Sequence, residues 1–173
     1  MLEGYRGRDE VERADVARIR ALLDTAEAPF SRAIPLHITG SAVIVHDGRV
    51  LLRWHERQRA WLQVGGHGDP GETDPLAIAL REGREETGLG DLRPFPTAEL
   101  LHAVIVPVVA KGDEPAHEHA DLRYVLTTAQ PERARPEKPD APVKWLPLDE
   151  AIDAVTTDNL RETLRRVRDR LPA

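Results

Sequence analysis

The first thirty residues carry hydrophobic side chains at helical spacing, with glutamate and arginine between them. The hydrophobic positions of Val11–Leu22 repeat every three or four residues, as the buried stripe of an amphipathic helix does. Pro29 lacks a backbone donor and ends such a helix. The pattern predicts an N-terminal helical extension, residues 1–30, ahead of a domain that spans residues 31–173.

Beyond the extension, β-branched residues indicate strands. His37–Val45 and Arg49–Trp54 flank the dipeptide Asp47-Gly48, which is typical of a hairpin turn because both of its central residues need positive φ. Further strands are predicted at Trp61–Val64, Glu99–Val109, Leu122–Ala129 and Val143–Leu146. Two polar stretches, Lys111–Ala120 and Gln130–Pro142, are predicted to be loops.

A glycine-dense loop, Gly65–Gly71, precedes the best-defined helix. Asp74 suits the N-cap and Pro75 the first helical position. The helix is predicted to end at Thr87, because Gly88 readily adopts a left-handed conformation. Later helices are predicted at Leu148–Ala154 and Asn159–Arg170. This mixed order of elements predicts an α/β sandwich, with helices packed on a mixed β-sheet.

Composition narrows the classes of function. A length of 173 residues suits one domain, and 40% hydrophobic residues suffice for a core. A formal charge of −6 argues against a dedicated nucleic-acid surface. The absence of cysteine excludes disulfides, thiolate metal sites and cysteine nucleophiles. The charged N-terminus and the lack of a long apolar stretch predict a cytoplasmic protein that does not enter a membrane.

Three glutamates mark the candidate chemistry. Glu82, Glu85 and Glu86 are spaced at i, i+3 and i+4, so they share one side of the predicted helix. Like charges at this spacing destabilise a helix by ~0.2–0.5 kcal/mol per pair. A Mg²⁺ ion would relieve that repulsion, since it prefers oxygen ligands. The alternative is an ordinary solvated acidic face.

The glycine loop admits a second interpretation. Residues Gly66–Gly71 match G-x-G-x-x-G between a predicted strand and a helix, which is the dinucleotide-binding pattern. Asp69, Glu72 and Asp74 would repel a pyrophosphate at that helix N-terminus. The chain is also too short to add a substrate domain to a nucleotide-binding half. These features disfavour a dinucleotide-binding fold.

Gly66, Glu72 and the run Arg81-Glu82-x-x-Glu85-Glu86-x-Gly88-Leu89 together resemble the signature of Nudix hydrolases. The resemblance implies a Nudix-type α/β/α sandwich. Two departures stand out. Eight residues, Thr73–Leu80, separate Glu72 from the arginine where seven are usual, which puts the role of Glu72 in question. Gly83 replaces a bulky apolar residue, so a close approach of the helix backbone to the sheet is expected.

The resemblance also implies the reaction, which is Mg²⁺-dependent hydrolysis of a phosphoanhydride in a nucleoside diphosphate derivative, with Mn²⁺ as a possible substitute. It assigns Glu82, Glu85 and Glu86 to the metal, with the Gly66 carbonyl as an extra ligand. Arg81 would orient a neighbouring glutamate, and Glu82 or Glu85 would serve partly as the base. A nucleotide-sensing module without hydrolysis is the alternative. An isoprenoid diphosphate isomerase of this fold is disfavoured because that mechanism uses a cysteine.

Other polar residues are candidates for substrate contacts. Arg53 and Arg123 lie on predicted strands and suit bidentate phosphate binding. His117 and His119 would share a side if they lay on a strand, which permits shared metal binding, although a solvated loop tip is the simpler interpretation. Carboxylates outside the signature that are candidates for a second base are Glu99, Glu118 and Asp121. The expected partner is a small nucleotide or diphosphate, and a homodimer is possible.

Overall fold

A computed structural model describes residues 1–171. Its strands are β1 (Leu36–His46), β2 (Arg49–His55), β3 (Ala60–Leu62), β4 (Val64–His67), β5 (Arg93–Pro94), β6 (His102–Val108), β7 (His117–Thr127) and β8 (Val143–Pro147). Its α-helices are α1 (Glu10–Thr25), α2 (Pro75–Thr87), α3 (Leu148–Ala154) and α4 (Asp158–Arg170). Among the described residues, no helix is long and apolar enough to cross a membrane.

The sheet is organised around β1. On one side β1 runs parallel to β7, with Leu36 opposite Glu118 and Val45 opposite Thr127. On its other side it pairs antiparallel with β4 and, further along, with β2. Strand β3 pairs with β2, β8 pairs with β2, and β5 and β6 pair with β7. The sheet is therefore mixed, as predicted.

Successive side chains of β1 point to opposite faces of the sheet, so they contribute to two separate layers of the core. Ile38, Ala42 and Ile44 belong to the cluster that α1 and α2 cover. Val43 and Val45 point to the opposite face and pack with α3 and α4. Helices therefore lie on both faces of the sheet, which confirms the predicted α/β/α sandwich.

The hairpin turn between β1 and β2 and both ends of α2 lie where the local sequence predicted them. Asp47 and Gly48 have φ of 44° and 69°, as the hairpin turn requires. Asp74 caps α2 by accepting a hydrogen bond from the Leu76 N–H at 3.0 Å. Gly88 ends the helix in the left-handed conformation, with φ of 67°. A Cβ on Gly83 would lie 3.6 Å from Val64 Cγ2 of β4 and 3.7 Å from Leu126 Cδ1 of β7, so this face of the helix approaches the sheet closely, as expected.

Two predicted loops are partly strand. Val64–His67 forms β4, although Gly65–Gly71 was expected to be irregular. His117–Ala120 forms the start of β7, although Lys111–Ala120 was expected to be a loop. Both segments are poor in β-favouring residues. Their hydrogen bonds with β1 make them strands, and that pairing partner lies far away in sequence.

The N-terminal extension packs on the sheet of its own chain. Glu12 of α1 is buried and accepts hydrogen bonds from the Arg8 N–H at 2.6 Å and the Ala103 N–H of β6 at 3.2 Å. Its carboxylate also lies 2.8 Å from the guanidinium of Arg166, a fully buried residue of α4. Tyr5 donates a further hydrogen bond to it. This buried network joins the extension to both β6 and α4.

Candidate active site

Arg81 connects most of the signature residues. Its Nη1 lies 3.1 Å from Glu82 Oε1 and 3.0 Å from Glu85 Oε2. Its Nη2 donates to the carbonyl oxygen of His67 on β4 at 2.7 Å. The arginine therefore orients two of the three glutamates of α2 and fixes the helix against the strand that precedes the glycine loop.

Glu72 joins this network despite the longer spacing of the signature. Arg81 Nε lies 3.2 Å from Glu72 Oε1, and Arg81 Nη2 lies 3.0 Å from Glu72 Oε2. Glu72 also accepts from the Asp69 N–H at 2.8 Å. The Arg81 guanidinium holds the pKa of the Glu72 carboxyl below its usual range. Glu72 therefore acts as an anion that holds Arg81, and the extra residue is accommodated in the loop before α2.

Glu86 is the most buried of the three helix glutamates, with 8% of its side chain exposed. Its Oε2 accepts from the Gly65 N–H at 3.2 Å, and its Oε1 lies 3.2 Å from Arg53 Nη1. Burial raises the pKa of Glu86 to about 7, and the Arg53 charge offsets only part of that effect. A cation beside this carboxylate would stabilise its charged form.

Gly66 leaves room for the Glu82 carboxylate. A Cβ at position 66 would lie 2.6 Å from Glu82 Cδ, so any larger residue would displace the carboxylate. Burial raises the pKa of Glu82, although the neighbouring Arg81 opposes the shift. The glutamate oxygens beside the backbone of β4 form the hard-oxygen donor set that Mg²⁺ prefers. The residues present therefore fit the metal that the resemblance implies.

A cavity of about 230 Å³ adjoins this cluster. Gly65 and Gly66 line it on one side, and Arg53 lines it with a buried Nε that has no hydrogen-bond partner within residues 1–171. The other lining residues are Thr39, Ser41, His55, Gln58, Leu62, Gln63, His67, Val106, His119, Asp121, Arg123, Thr157 and Asn159. Arg53 thus connects the buried Glu86 to the space where a ligand would lie.

Arg123 also lines the cavity, but its guanidinium already has internal partners. It donates from Nε to Asp121 Oδ2 at 2.8 Å and from Nη1 to Thr163 Oγ1 at 2.8 Å, and it is 2% exposed. Asp121 additionally accepts from the hydroxyls of Ser41 at 2.6 Å and Thr39 at 3.0 Å. Binding of substrate by Arg123 stays a prediction, and in this structure the residue stabilises the cavity wall.

The other candidate bases have different surroundings. Burial alone would raise the pKa of Asp121, but Arg123 and the Ser41 hydroxyl outweigh it, so its pKa lies below the usual range. Glu118 is paired with Arg18 of α1 at 2.6 Å on the outer surface. Glu99 is exposed. Of these three carboxylates, Asp121 alone lines the cavity.

Strand register explains how the polar residues of the cavity come together. His37, Thr39 and Ser41 of β1 lie opposite His119, Asp121 and Arg123 of β7, so all six share one face of the sheet. The place of His37 in this row was not predicted from the sequence. A signal was available, because His37, Thr39 and Ser41 are polar residues at every second position of a strand that continues with the apolar Val43.

Comparisons with known proteins agree with this geometry. The model of the NUDIX domain family matches residues 36–170. A "Probable DHNTP pyrophosphohydrolase" of Lactococcus lactis subsp. cremoris is 28% identical over 104 residues, which are 60% of this chain. The aligned part spans about three fifths (61%) of that relative's length.

Solved structures share the fold. A C. elegans Ap4A hydrolase superposes with a TM-score of 0.59 at 21% identity, covering 76% of this chain and 95% of that one. The E. coli dihydroneopterin triphosphate pyrophosphohydrolase gives a TM-score of 0.52 at 18% identity, covering 75% and 92%. Because the family model spans most of the sequence and the sandwich is that of these structures, the chain belongs to the Nudix family.

Proposed function

We propose that this protein is a Mg²⁺-dependent pyrophosphohydrolase that cleaves a phosphoanhydride bond in a nucleoside diphosphate derivative or a similar small molecule. The observation that carries the proposal is the arrangement around Arg81. That residue contacts Glu72, Glu82 and Glu85, next to the cavity that Gly66 lines. Arg81 supplies one positive charge to these three carboxylates, so the cluster keeps a net negative charge that a divalent cation would neutralise, and a diphosphate binds such a cation.

Each residue of the cluster has a role in the proposed reaction. Glu82, Glu85 and Glu86 would hold Mg²⁺ or Mn²⁺, with the Gly66 carbonyl as a further ligand. When bound, the ion supplies positive charge to the diphosphate and makes water more acidic. Arg81 positions the Glu82 and Glu85 carboxylates, and one of these two accepts the proton of the attacking water.

Arg53 is the residue we propose to contact the substrate phosphates. It lies in the cavity wall, and its Nε has no partner in the described chain. Its Nη1 neutralises Glu86 in the absence of metal. A divalent ion would take over that neutralisation, and the guanidinium would then be available for a bidentate contact with phosphate.

The names of two similar proteins support a small phosphate-bearing substrate. The Lactococcus relative is named a probable DHNTP pyrophosphohydrolase, and the C. elegans structure is an Ap4A hydrolase. We propose a substrate whose chain of phosphates is directed toward Gly66. The division at residue 30, a homodimer and a cytoplasmic location stay predictions.

A substrate panel with and without Mg²⁺ tests the proposed activity. The panel contains nucleoside triphosphates, ADP-ribose, a dinucleoside polyphosphate and dihydroneopterin triphosphate, and phosphate or nucleotide release is measured. Glu86→Gln should lower kcat by orders of magnitude and leave the fold intact. Glu150→Gln, an exposed glutamate of α3, is the matched control and should retain full activity.

Two results would contradict the proposal. Full activity of Glu86→Gln would refute the assignment of the metal ligands. Ligand binding without turnover, in the wild-type protein and Glu86→Gln alike, would instead indicate the nucleotide-sensing module.

A further inference from the structure

Four histidines from three strands converge at one end of the polar row on the sheet. They are His37 of β1, His67 of β4, and His117 and His119 of β7. One ring nitrogen from each lies within 4.8 Å of the corresponding nitrogens of the others. None of the four belongs to the glutamate cluster, so nothing in the proposed function accounts for their convergence.

Two of the nitrogen–nitrogen distances are close to those of a tetrahedral metal site. His119 Nε2 lies 3.1 Å from His67 Nε2 and 3.1 Å from His117 Nε2. With metal–nitrogen bonds of ~2.0–2.1 Å, the ligand nitrogens of a tetrahedral site are separated by about 3.3 Å. The rings are therefore already close to the spacing that one ion would require.

Proton counting shows that the rings lack enough donors to satisfy one another. His37 Nδ1 faces the Ile34 carbonyl oxygen at 3.0 Å, and His117 Nδ1 faces the Pro115 carbonyl oxygen at 3.0 Å. A carbonyl only accepts, so each Nδ1 carries the proton and each Nε2 carries a lone pair. His119 Nε2 holds at most one proton and cannot satisfy two neighbours at 3.1 Å.

His37 is the clearest sign of a missing partner. The residue is 1% exposed, and its Nε2 has no hydrogen-bond partner within the described part of the chain. A buried polar atom without a partner costs ~1–3 kcal/mol. Carbonyl oxygens behind Nδ1 are also the usual support for a metal-binding histidine, because they fix the tautomer and direct Nε2 at the ion.

We propose that His37, His67, His117 and His119 bind one divalent transition-metal ion of the Zn²⁺ type, at a site separate from the glutamate cluster. Imidazole ligands suit Zn²⁺, Cu²⁺ and Ni²⁺ rather than Mg²⁺. A cavity of about 330 Å³, lined by His37, His67 and His117, provides a route of entry.

The site would connect strands that are separate in sequence. His67 directly follows Gly65 and Gly66 of β4, and its carbonyl oxygen accepts from Arg81. An ion at the four histidines would hold β4 to β1 and β7. We therefore assign it a structural role, in which it fixes the strand against which the glutamate cluster is built.

Metal binding by the full chain tests the proposal directly. Protein treated with a chelator is titrated with Zn²⁺ against a chromophoric chelator, and with Co²⁺ to record the visible absorption of a tetrahedral site. We expect one ion per chain and a rise in Tm of roughly 5–10 °C when Zn²⁺ is present at a hundred times Kd.

Three variants locate the ion. His119→Ala should weaken Zn²⁺ binding by about 100-fold or more, since loss of even a ligand's hydrogen-bond partner costs ~10–100-fold. His117→Ala, at the first residue of β7, should do the same and serves as a second test if His119→Ala does not fold. His46→Ala removes a histidine outside the cluster and should bind Zn²⁺ as the wild-type protein does.

Glu86→Gln separates this site from the proposed Mg²⁺ site. It should keep both Zn²⁺ affinity and the Co²⁺ spectrum, whether or not the protein proves to be a hydrolase. The proposal is overturned if the protein binds no Zn²⁺ at micromolar concentration. It is equally overturned if Glu86→Gln abolishes Zn²⁺ binding while His117→Ala does not, or if His46→Ala weakens binding as much as His117→Ala.

Discussion

Substitution of Gly66 by alanine probes the proposed active site through a single methyl group. The new Cβ would lie 2.6 Å from Glu82 Cδ. Non-bonded carbon atoms at their optimal separation are ~3.5–4.0 Å apart, so the carboxylate must move by about 1 Å. A displacement of this size in a catalytic arrangement costs ~10²-fold in rate, which corresponds to ~2.7 kcal/mol of transition-state stabilisation.

The fold should tolerate the same substitution. The displaced group is the flexible end of a side chain, and Gly66 is not among the glycines with positive φ. We therefore expect Gly66→Ala to lower kcat about a hundredfold on the best substrate of the panel and to shift Tm by no more than about 2 °C. Gly90→Ala is the control, because no atom lies within 4 Å of its new Cβ. Unchanged kcat in a folded Gly66→Ala protein would refute the placement of Glu82 beside Gly66 in the working site.

Three further predictions concern stability, each measured by urea unfolding. Glu12→Ala should lower the free energy of unfolding by ~3–5 kcal/mol, because it removes the buried carboxylate that pairs with Arg166 and leaves the buried Ala103 N–H without its acceptor. Glu10→Ala, on the exposed side of α1, is its control, and a loss below ~1 kcal/mol for Glu12→Ala would contradict the buried network. Burial raises the pKa of Glu86 to about 7 and favours its protonated form, so the stability that this residue contributes without divalent ions should be lost as pH rises from about 4.5 to 7. The free energy of unfolding of the wild-type protein, measured relative to Glu86→Gln, should therefore fall by at most ~3 kcal/mol over this range, and an identical pH dependence of the two proteins would contradict the shift. Gly40→Ala should lower the free energy of unfolding by ~1–3 kcal/mol or more, because its Cβ would overlap the Pro75 carbonyl oxygen in the first turn of α2. A free energy of unfolding equal to that of Gly90→Ala would show that this contact is loose.

Features that depend on near neighbours in sequence were predictable. Helical geometry alone placed Glu82, Glu85 and Glu86 together. The hairpin at Asp47 and the end of α2 at Gly88 follow from backbone preferences of single residues. In each case the deciding interaction lies within about one turn of helix or one hairpin, so no knowledge of the sheet was needed.

The contacts of Arg81 were only partly predictable. Its pairing with Glu85, one helical turn away, follows from spacing. Its contacts with Glu72 and with the His67 carbonyl depend on the path of the glycine loop and on the pairing of β4 with β1. The eight-residue spacing gave no indication that Glu72 would still reach the arginine.

The sequence by itself therefore determined the family, the helix that carries the glutamates and the layered α/β architecture. Only the tertiary structure decided that Arg53 neutralises Glu86, that Arg123 is held by Asp121, and that four histidines meet at one point. Arg53 and Glu86 come from β2 and α2, and Arg123 is held on the cavity wall also by Thr163 of α4. The histidines come from three strands, which the pairing of β1 with β4 and with β7 brings together. Burial of both faces of the sheet fixes the register of this pairing. If β1 shifted by one residue relative to its neighbours, the polar side chains of His37, Thr39 and Ser41 would turn from the cavity toward the apolar layer on the other face.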